Sequence, residues 1–296
     1  MLSILIPVYN FDIRKFISQL CEQAEKEDIT YEIIVADDNS DKYFAEINKE
    51  IENLPNVKYI LLDKNIGRSK IRNFLAEKAK YEYLLFADCD MLISGKNFIR
   101  NYLKSIKKND VIIGGIEYQT NKPGNSDKYL RWHYGRKREA LPPQIRNKKP
   151  YSSFMSGNFL IPAEIFNKIK FNENITEYGH EDTLFGIELK RRNFKILHID
   201  NVLMHIGLED AAIFINKTKI SIKNLIYISE KYKYPEFYEN IKLLKVRKKL
   251  KFLKPVIFTV FKISEKMILK NLYGKKPSLI LFDLFKIGTS YKSKIP

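Results

Sequence analysis

Cysteine is nearly absent: Cys21 and Cys89 are the only two in 296 residues, with no metal-ligand spacing and no framework of pairs. That excludes a disulfide scaffold or a cysteine-built zinc module and suits a reducing compartment, with the cytosol as the expected location. Also missing is an apolar run long enough to span a bilayer. The most suggestive one, residues 255–261, is closed by Lys254 and Lys262 and falls far short of the roughly 20 apolar residues required. The first ten residues, MLSILIPVYN, carry neither a charged leader nor a cleavage-like site, so they do not read as a secretory signal. Acidic residues are scarce in one region only: residues 241–296 hold 15 Lys and Arg against 2 Asp and Glu, whereas the first 240 hold 37 against 33. The body is therefore nearly neutral and the tail strongly basic. With 45% hydrophobic content the chain reads as globular, with a body over 1–240 and a basic amphipathic helical tail over 241–296.

What is present is alternation. Residues 2–8, 31–36 and 57–62 are short apolar runs, each followed by turn residues or acids, and each of the first two leads into apolar residues at helical spacing. A turn at Asn65-Ile66-Gly67 then opens a helix over 68–80, and a helix over 97–107 and a strand over 110–118 come later. Repeated strand-helix units predict an α/β fold, a mostly parallel sheet with helices on both faces, and in such sheets ligands bind beyond the carboxyl ends of the strands. Residues 119–151, polar, basic and bearing Pro123, Pro142, Pro143 and Pro150, read as a long excursion, in part helical. The chain returns in a strand over 152–161, where Gly157 marks a close approach, then a helix within 178–193 and short strands over 195–199 and 202–206.

The chain is organised around residues 83–92, YLLFADCDML, an apolar run ending in Asp88 and Asp90. If the backbone stays extended, residues two apart face the same way, and two carboxylates facing one space call for a cation such as Mg2+ or Mn2+. An aspartate-capped turn satisfies the same pattern. Glu181 and Asp182 fall in the first turn of a helix, where acids are favoured with or without chemistry. The tail mixes Lys and Arg with bulky apolar residues, which fits a helix lying on anionic lipid or a helical cap with a solvated basic face. It carries no nucleic-acid module signature.

Together ILIPVYN, IIVADDNS, NIGRSKIRN, FADCD, MSGNF and YGHED, in this order over roughly 200 residues, resemble a family 2 glycosyltransferase of the GT-A fold. The segment GHEDTLFGIELKRRN also resembles the acceptor-side motif of related galactosyl- and N-acetylgalactosaminyltransferases and of bacterial chondroitin-type polymerases. The resemblance implies that Pro7, Val8 and Tyr9 line the nucleotide, that Asp37 accepts a hydrogen bond from uracil, and that Arg68 lies beside the base or the phosphates. Asp88 would meet the ribose or the metal, Asp90 the metal that bridges the diphosphate, and His205 would be a further metal ligand, a departure from the simplest members of the family. Asp182 matches the catalytic base, with Glu181 beside it against acceptor or donor sugar. The implied enzyme is a Mn2+- or Mg2+-dependent inverting transferase. It moves a sugar from a UDP-sugar donor to a hydroxyl of a lipid-linked surface glycan, peripheral to the inner face of the cell membrane. A catalytically idle nucleotide-sugar-binding scaffold subunit is the alternative.

Overall fold

The computed structural model describes residues 1–106 and 110–292. Its strands are β1 Leu2–Val8, β2 Tyr31–Asp37, β3 Val57–Leu61, β4 Tyr83–Ala87, β5 Met91–Ile93, β6 Asp110–Ile113, β7 Ile116–Glu117, β8 Asn158–Pro162, β9 Lys195–His198 and β10 Leu203–His205. The helices up to the tail are α1 Arg14–Ala24, α2 Lys42–Lys49, α3 Arg68–Lys78, α4 Phe98–Ser105, α5 Tyr129–Tyr134, α6 Pro143–Arg146, α7 Ala163–Ile169, α8 Glu181–Arg191 and α9 Ala211–Tyr232. Four more follow: α10 Pro235–Asn240, α11 Lys242–Lys249, α12 Lys254–Leu272 and α13 Leu279–Lys292. The helix expected over 97–107 is α4, Lys107 itself lying outside the described residues.

Two compact units emerge, and neither ends at residue 240. The first is Met1–Gln119, Ala140–Thr176 and Glu181–Gly207; the second is Thr120–Glu139, Glu177–His180 and Leu208–Pro296. The division falls earlier than a body-and-tail reading places it because α9 and α5 share an apolar core with the tail helices. Leu130, Ala211 and Ile215 pack with Phe261, Ile268, Leu272, Phe282 and Phe285. The basic sequence after 240 thus belongs to a helical unit with its own interior, to which half of the long excursion contributes.

In the first unit a seven-stranded sheet runs β3-β2-β1-β4-β8-β6-β9, and β5-β10-β7 form a small second sheet. Strands β1 to β4 are mutually parallel and β6 is parallel to β9, while β8 is antiparallel to both its neighbours, so the sheet is mostly parallel, as expected. On one face Leu5, Ile34, Phe86 and Phe159 pack with Ile71 and Leu75 of α3, Phe166 of α7 and Phe185 of α8. Phe86 and Phe159 are stacked with centroids 4.8 Å apart. Their sequence neighbours Ile4, Ile33 and Leu85 are equally buried and face the opposite side, as strand alternation requires.

The strand expected over 110–118 is two strands in two sheets. The chain breaks at Gly114-Gly115, Gly115 adopting φ +85°, and the break is held from below by Arg146, which is 2% exposed. Arg146 donates to the carbonyls of Leu141, Ile113, Gly114 and Ile199 at 2.8–3.2 Å, and its Nη1 lies 2.9 Å from His198 Nδ1. An arginine can only donate, so His198 Nδ1 accepts, and its Nε2–H donates to the Pro150 carbonyl at 2.9 Å. The imidazole is therefore neutral. Burial, reinforced by the Arg146 charge, pushes its pKa down to about 4.

Because the unfolded chain takes up this proton near pH 6.5 and the folded chain only near 4, the contribution of His198 is complete above about pH 6.5 and is lost as pH falls toward 4. The loss should reach about 3 kcal/mol. Urea unfolding at pH 7 and pH 4.5 will show it: in His198→Gln the drop in stability between the two pH values should shrink markedly, whatever the stability of the variant at pH 7.

Candidate active site

Parallel pairing brings the ends of β1, β2 and β4 to one edge of the sheet, with Val8 opposite Asp37 and Leu5 opposite Phe86. Asp88 follows β4 directly, and its N–H donates to Gly157 O at 3.1 Å, which extends the pairing of β4 with β8 by one residue. A Cβ on Gly157 would lie 2.8 Å from Asp88 Oδ2, so only glycine lets this carboxylate sit where it does. Asp88 Oδ1 meets Nη2 of the buried Arg72 at 2.5 Å. Arg72 also donates to the Arg68 carbonyl one turn earlier and lies with its guanidinium 5.7 Å from the Phe171 ring centroid.

Residues 89–90 form a turn rather than extended strand, so strand alternation does not set how Asp88 and Asp90 face. Asp90 belongs to the small sheet. Met91 of β5 pairs with His205 of β10, Ile206 N–H donates to Asp90 O at 2.9 Å, and His205 Nε2 comes within 3.2 Å of Asp90 Oδ2. Gly207 passes so close to Asp90 that a Cβ there would strike its carboxylate. His205 Nδ1 is buried with no hydrogen-bond partner, and the Tyr118 ring lies 5.2 Å from the imidazole. Between the two acids, burial and the flanking charges push the Cys89 thiol far up, which rules it out as a thiolate.

Arg68, one helical turn before Arg72 on α3, places its Nε 2.5 Å from Oε1 of Glu181 in the first turn of α8. Burial opposes the ionisation of Glu181, but the Arg68 and Arg72 charges outweigh it and hold the carboxyl below its usual range. The adjacent Asp182 goes the other way: burial first and the Glu181 charge second push it up to about 6, although Oδ1 accepts the Thr183 N–H at 2.6 Å. Two neighbouring acids with opposed shifts suit different chemical roles.

The expected nucleotide-lining residues separate. Tyr9 is 52% exposed just past β1 and Pro7 is half-buried, but Val8 is 1% exposed and is a core residue. Asp37 is sealed at 0% exposure, its Oδ1 taking the Ser40 N–H at 2.7 Å and its Oδ2 the Tyr59 hydroxyl at 2.5 Å. It shapes the turn after β2 and does not present an oxygen to a ligand. The neighbouring Asp38, absent from the sequence-based set, accepts the N–H groups of Ile66 at 2.6 Å and Gly67 at 3.0 Å and so orders the loop that starts α3. Arg72 and Gly207 were also missed. An arginine beside the inward-facing Ile71 and Leu75 was the available signal for the first; nothing in the sequence marked the second.

The donor set suits the divalent cation that the family resemblance implies. Asp90 offers a carboxylate oxygen and His205 an imidazole nitrogen, both acceptable to Mn2+. Asp88, expected as a third donor, gives its Oδ1 to Arg72, and among the described residues no three His, Cys, Asp or Glu converge as a ready-made cage. A cation held here would complete its shell with substrate oxygens, the usual arrangement for Mg2+ in phosphate chemistry.

A family model described as "Glycosyl transferase family 2" matches residues 3–170. A chondroitin synthase of Escherichia coli is 28% identical over 236 residues, 69% of this chain but only 34% of its own length, so the chain spans about a third of that relative. Among solved structures, the mannosyltransferase PcManGT from Pyrobaculum calidifontis, in complex with GDP-Man and Mn2+, superposes with a TM-score of 0.54 at 13% identity, over 76% of this chain and 63% of that one. S. aureus TarS 1–349 in complex with UDP-GlcNAc gives 0.50 at 17%, over 98% and 91%. At these identities the two structures speak for the fold, which is of the GT-A class.

Arg72 is the counter-charge that Asp88 depends on, and removing one partner of a buried pair leaves the other uncompensated. Arg72→Met should lower unfolding free energy by about 3 kcal/mol or more. Adding Asp88→Asn to that background should restore part of the loss, a coupling that urea unfolding of the double-mutant cycle measures directly.

Proposed function

Because the chain belongs to glycosyl transferase family 2, we propose that it transfers a sugar from a UDP-sugar to a hydroxyl of a surface glycan carried on a lipid, with inversion at the anomeric carbon. The observation that carries this reading is the split acid pair at the start of α8, Glu181 held ionised by Arg68 and Asp182 raised to about 6. A general base works best with a pKa near the operating pH, and at neutral pH Asp182 is ionised yet more basic than an ordinary aspartate.

The reaction balances through these groups. The acceptor O–H gives its proton to Asp182, the acceptor oxygen forms a bond to the anomeric carbon, and the bond from that carbon to the diphosphate oxygen breaks, the leaving UDP keeping the electron pair. One displacement from the face opposite the leaving group inverts the centre. Glu181, fixed by Arg68, is oriented to accept hydrogen bonds from sugar hydroxyls. A divalent cation at Asp90 and His205, when bound, would stabilise negative charge on the departing diphosphate. On this reading the half-exposed Arg68 and the exposed Tyr9 face the nucleotide.

Neighbours of the same fold hold UDP-GlcNAc in one case and GDP-Man with Mn2+ in the other, so the fold admits either base. The choice of UDP follows the family resemblance, and the TarS complex with UDP-GlcNAc supports it. A cytoplasmic location at the inner face of the membrane accords with two unpaired cysteines, one buried and one half-buried, and with the basic second unit.

A panel of UDP- and GDP-sugars, with Mn2+, Mg2+ or EDTA, should yield one donor that raises the thermal midpoint and is turned over on adding cation. Asp182→Asn should lower kcat by about a thousandfold with little change in donor binding. Asp90→Ala should remove the response to cation. Tight UDP binding without turnover on any acceptor would favour the idle scaffold. For the wild type, log kcat/KM should climb with unit slope as pH rises toward about 6 and then level, since the ionised form of Asp182 is the active one.

A further inference from the structure

Helix α12 is apolar on two opposite sides. Phe261, Ile268 and Leu272 form part of the core of the second unit, against Phe282 and Phe285 of α13. The other side carries Val256, Val260, Ile263 and Met267, spaced 4, 3 and 4 apart and exposed by 58, 58, 79 and 66%. Phe252, one turn earlier, is 82% exposed. At 1.5 Å rise per residue the stripe on α12, from Val256 to Met267, runs about 17 Å. Single exposed apolar residues are ordinary, but a continuous stripe on the side of a helix away from its core marks a contact surface.

Charge accompanies it. Helical spacing puts Lys262, Lys266 and Lys270 along one flank of the stripe, and at its start a hollow is lined by Arg247, Lys248, Lys251 and Lys254 with Tyr238 and Tyr291. From 242 to 276 there are twelve Lys and Arg and a single acid, Glu265, which pairs with Lys292 at 2.8 Å.

We propose that this face of α12, with the cationic hollow at its start, docks on an anionic lipid bilayer, the stripe entering the acyl boundary and lipid phosphates occupying the hollow. The proposal stands on exposure and charge alone and does not depend on the sugar-transfer reading. A nucleic acid would satisfy the cations but leave Ile263 and Met267 in water. A second copy of the chain would cover the stripe while setting one group of twelve cations against another. An anionic bilayer satisfies both at once, and since no described helix is long and apolar enough to cross a membrane, the contact is interfacial.

Flotation of the full chain with vesicles of phosphatidylglycerol and phosphatidylcholine, against phosphatidylcholine alone, tests it. The protein should float with the anionic vesicles and stay in solution with the neutral ones. Ile263→Glu with Met267→Glu, both exposed, should reduce the bound fraction about tenfold or more without altering the circular dichroism melt. Lys248→Glu with Lys251→Glu should do the same, and salt should weaken but not abolish binding by the wild type. Unchanged flotation of the stripe variant, no flotation of the wild type, or a wild-type dimer in light scattering that Ile263→Glu dissolves would each overturn the proposal.

Discussion

Two guanidinium groups one turn apart on α3 hold two of the site's acids in place. Asp88 and Glu181 come from distant stretches, and taking carboxylates partly out of water is costly unless fixed cations accompany them. Arg72 takes Asp88 and Arg68 takes Glu181. Arginine is suited to both positions because its charge survives burial and its planar fork reaches carboxylate and backbone together, as Arg72 does with Asp88 and the Arg68 carbonyl. The spacing of four residues that sets these arginines on one side of α3 also ties β4 to α8, whose helix would otherwise begin with two buried acids.

That division of labour explains why adjacent residues can differ so much. Glu181 and Asp182 share a helix turn, a dipole and a buried setting, yet one is held ionised and the other is raised toward neutrality. The difference is an arginine within hydrogen-bonding distance of the first. Glu181 then acts on Asp182 as a fixed negative charge and makes it the more basic of the two. Shifting either acid along α8 by one residue would turn it roughly 100° around the helix and end the arrangement.

Much of this was legible in the chain itself. The apolar runs ending in turn residues or acids located β1, β2 and β4 to within a residue, since a strand buried on both sides has few other ways to be written, and YGHED correctly opened α8. The failures share a physical cause. Sequence shows that acids stand at a strand end but not which of two neighbours turns inward, and that depends on a partner across the sheet: Tyr59 on β3 draws Asp37 into the interior. Val8, at the edge, is buried like most of β1. The single strand expected over 110–118 divides because Arg146, some thirty residues on, gathers the carbonyls that Gly114 and Gly115 free. Tertiary partners of this kind leave no local periodicity to read.

The spacing of Asp88 and Asp90 carries the last step. Read as extended backbone, it points both carboxylates into one space; as the turn it is, it delivers them to different sheets, Asp88 to the pairing of β4 with β8 and Asp90 to that of β5 with β10. Only Cys89 separates two environments, one closed by a buried arginine and the other open to a histidine. The second pairs a carboxylate with an imidazole, a donor set suited to a cation, and among the described residues no third His, Cys, Asp or Glu converges on it. On the proposed reading the cation's remaining positions fall to the donor's diphosphate, so cation and nucleotide sugar would strengthen each other's binding, each supplying ligands or charge that the protein withholds.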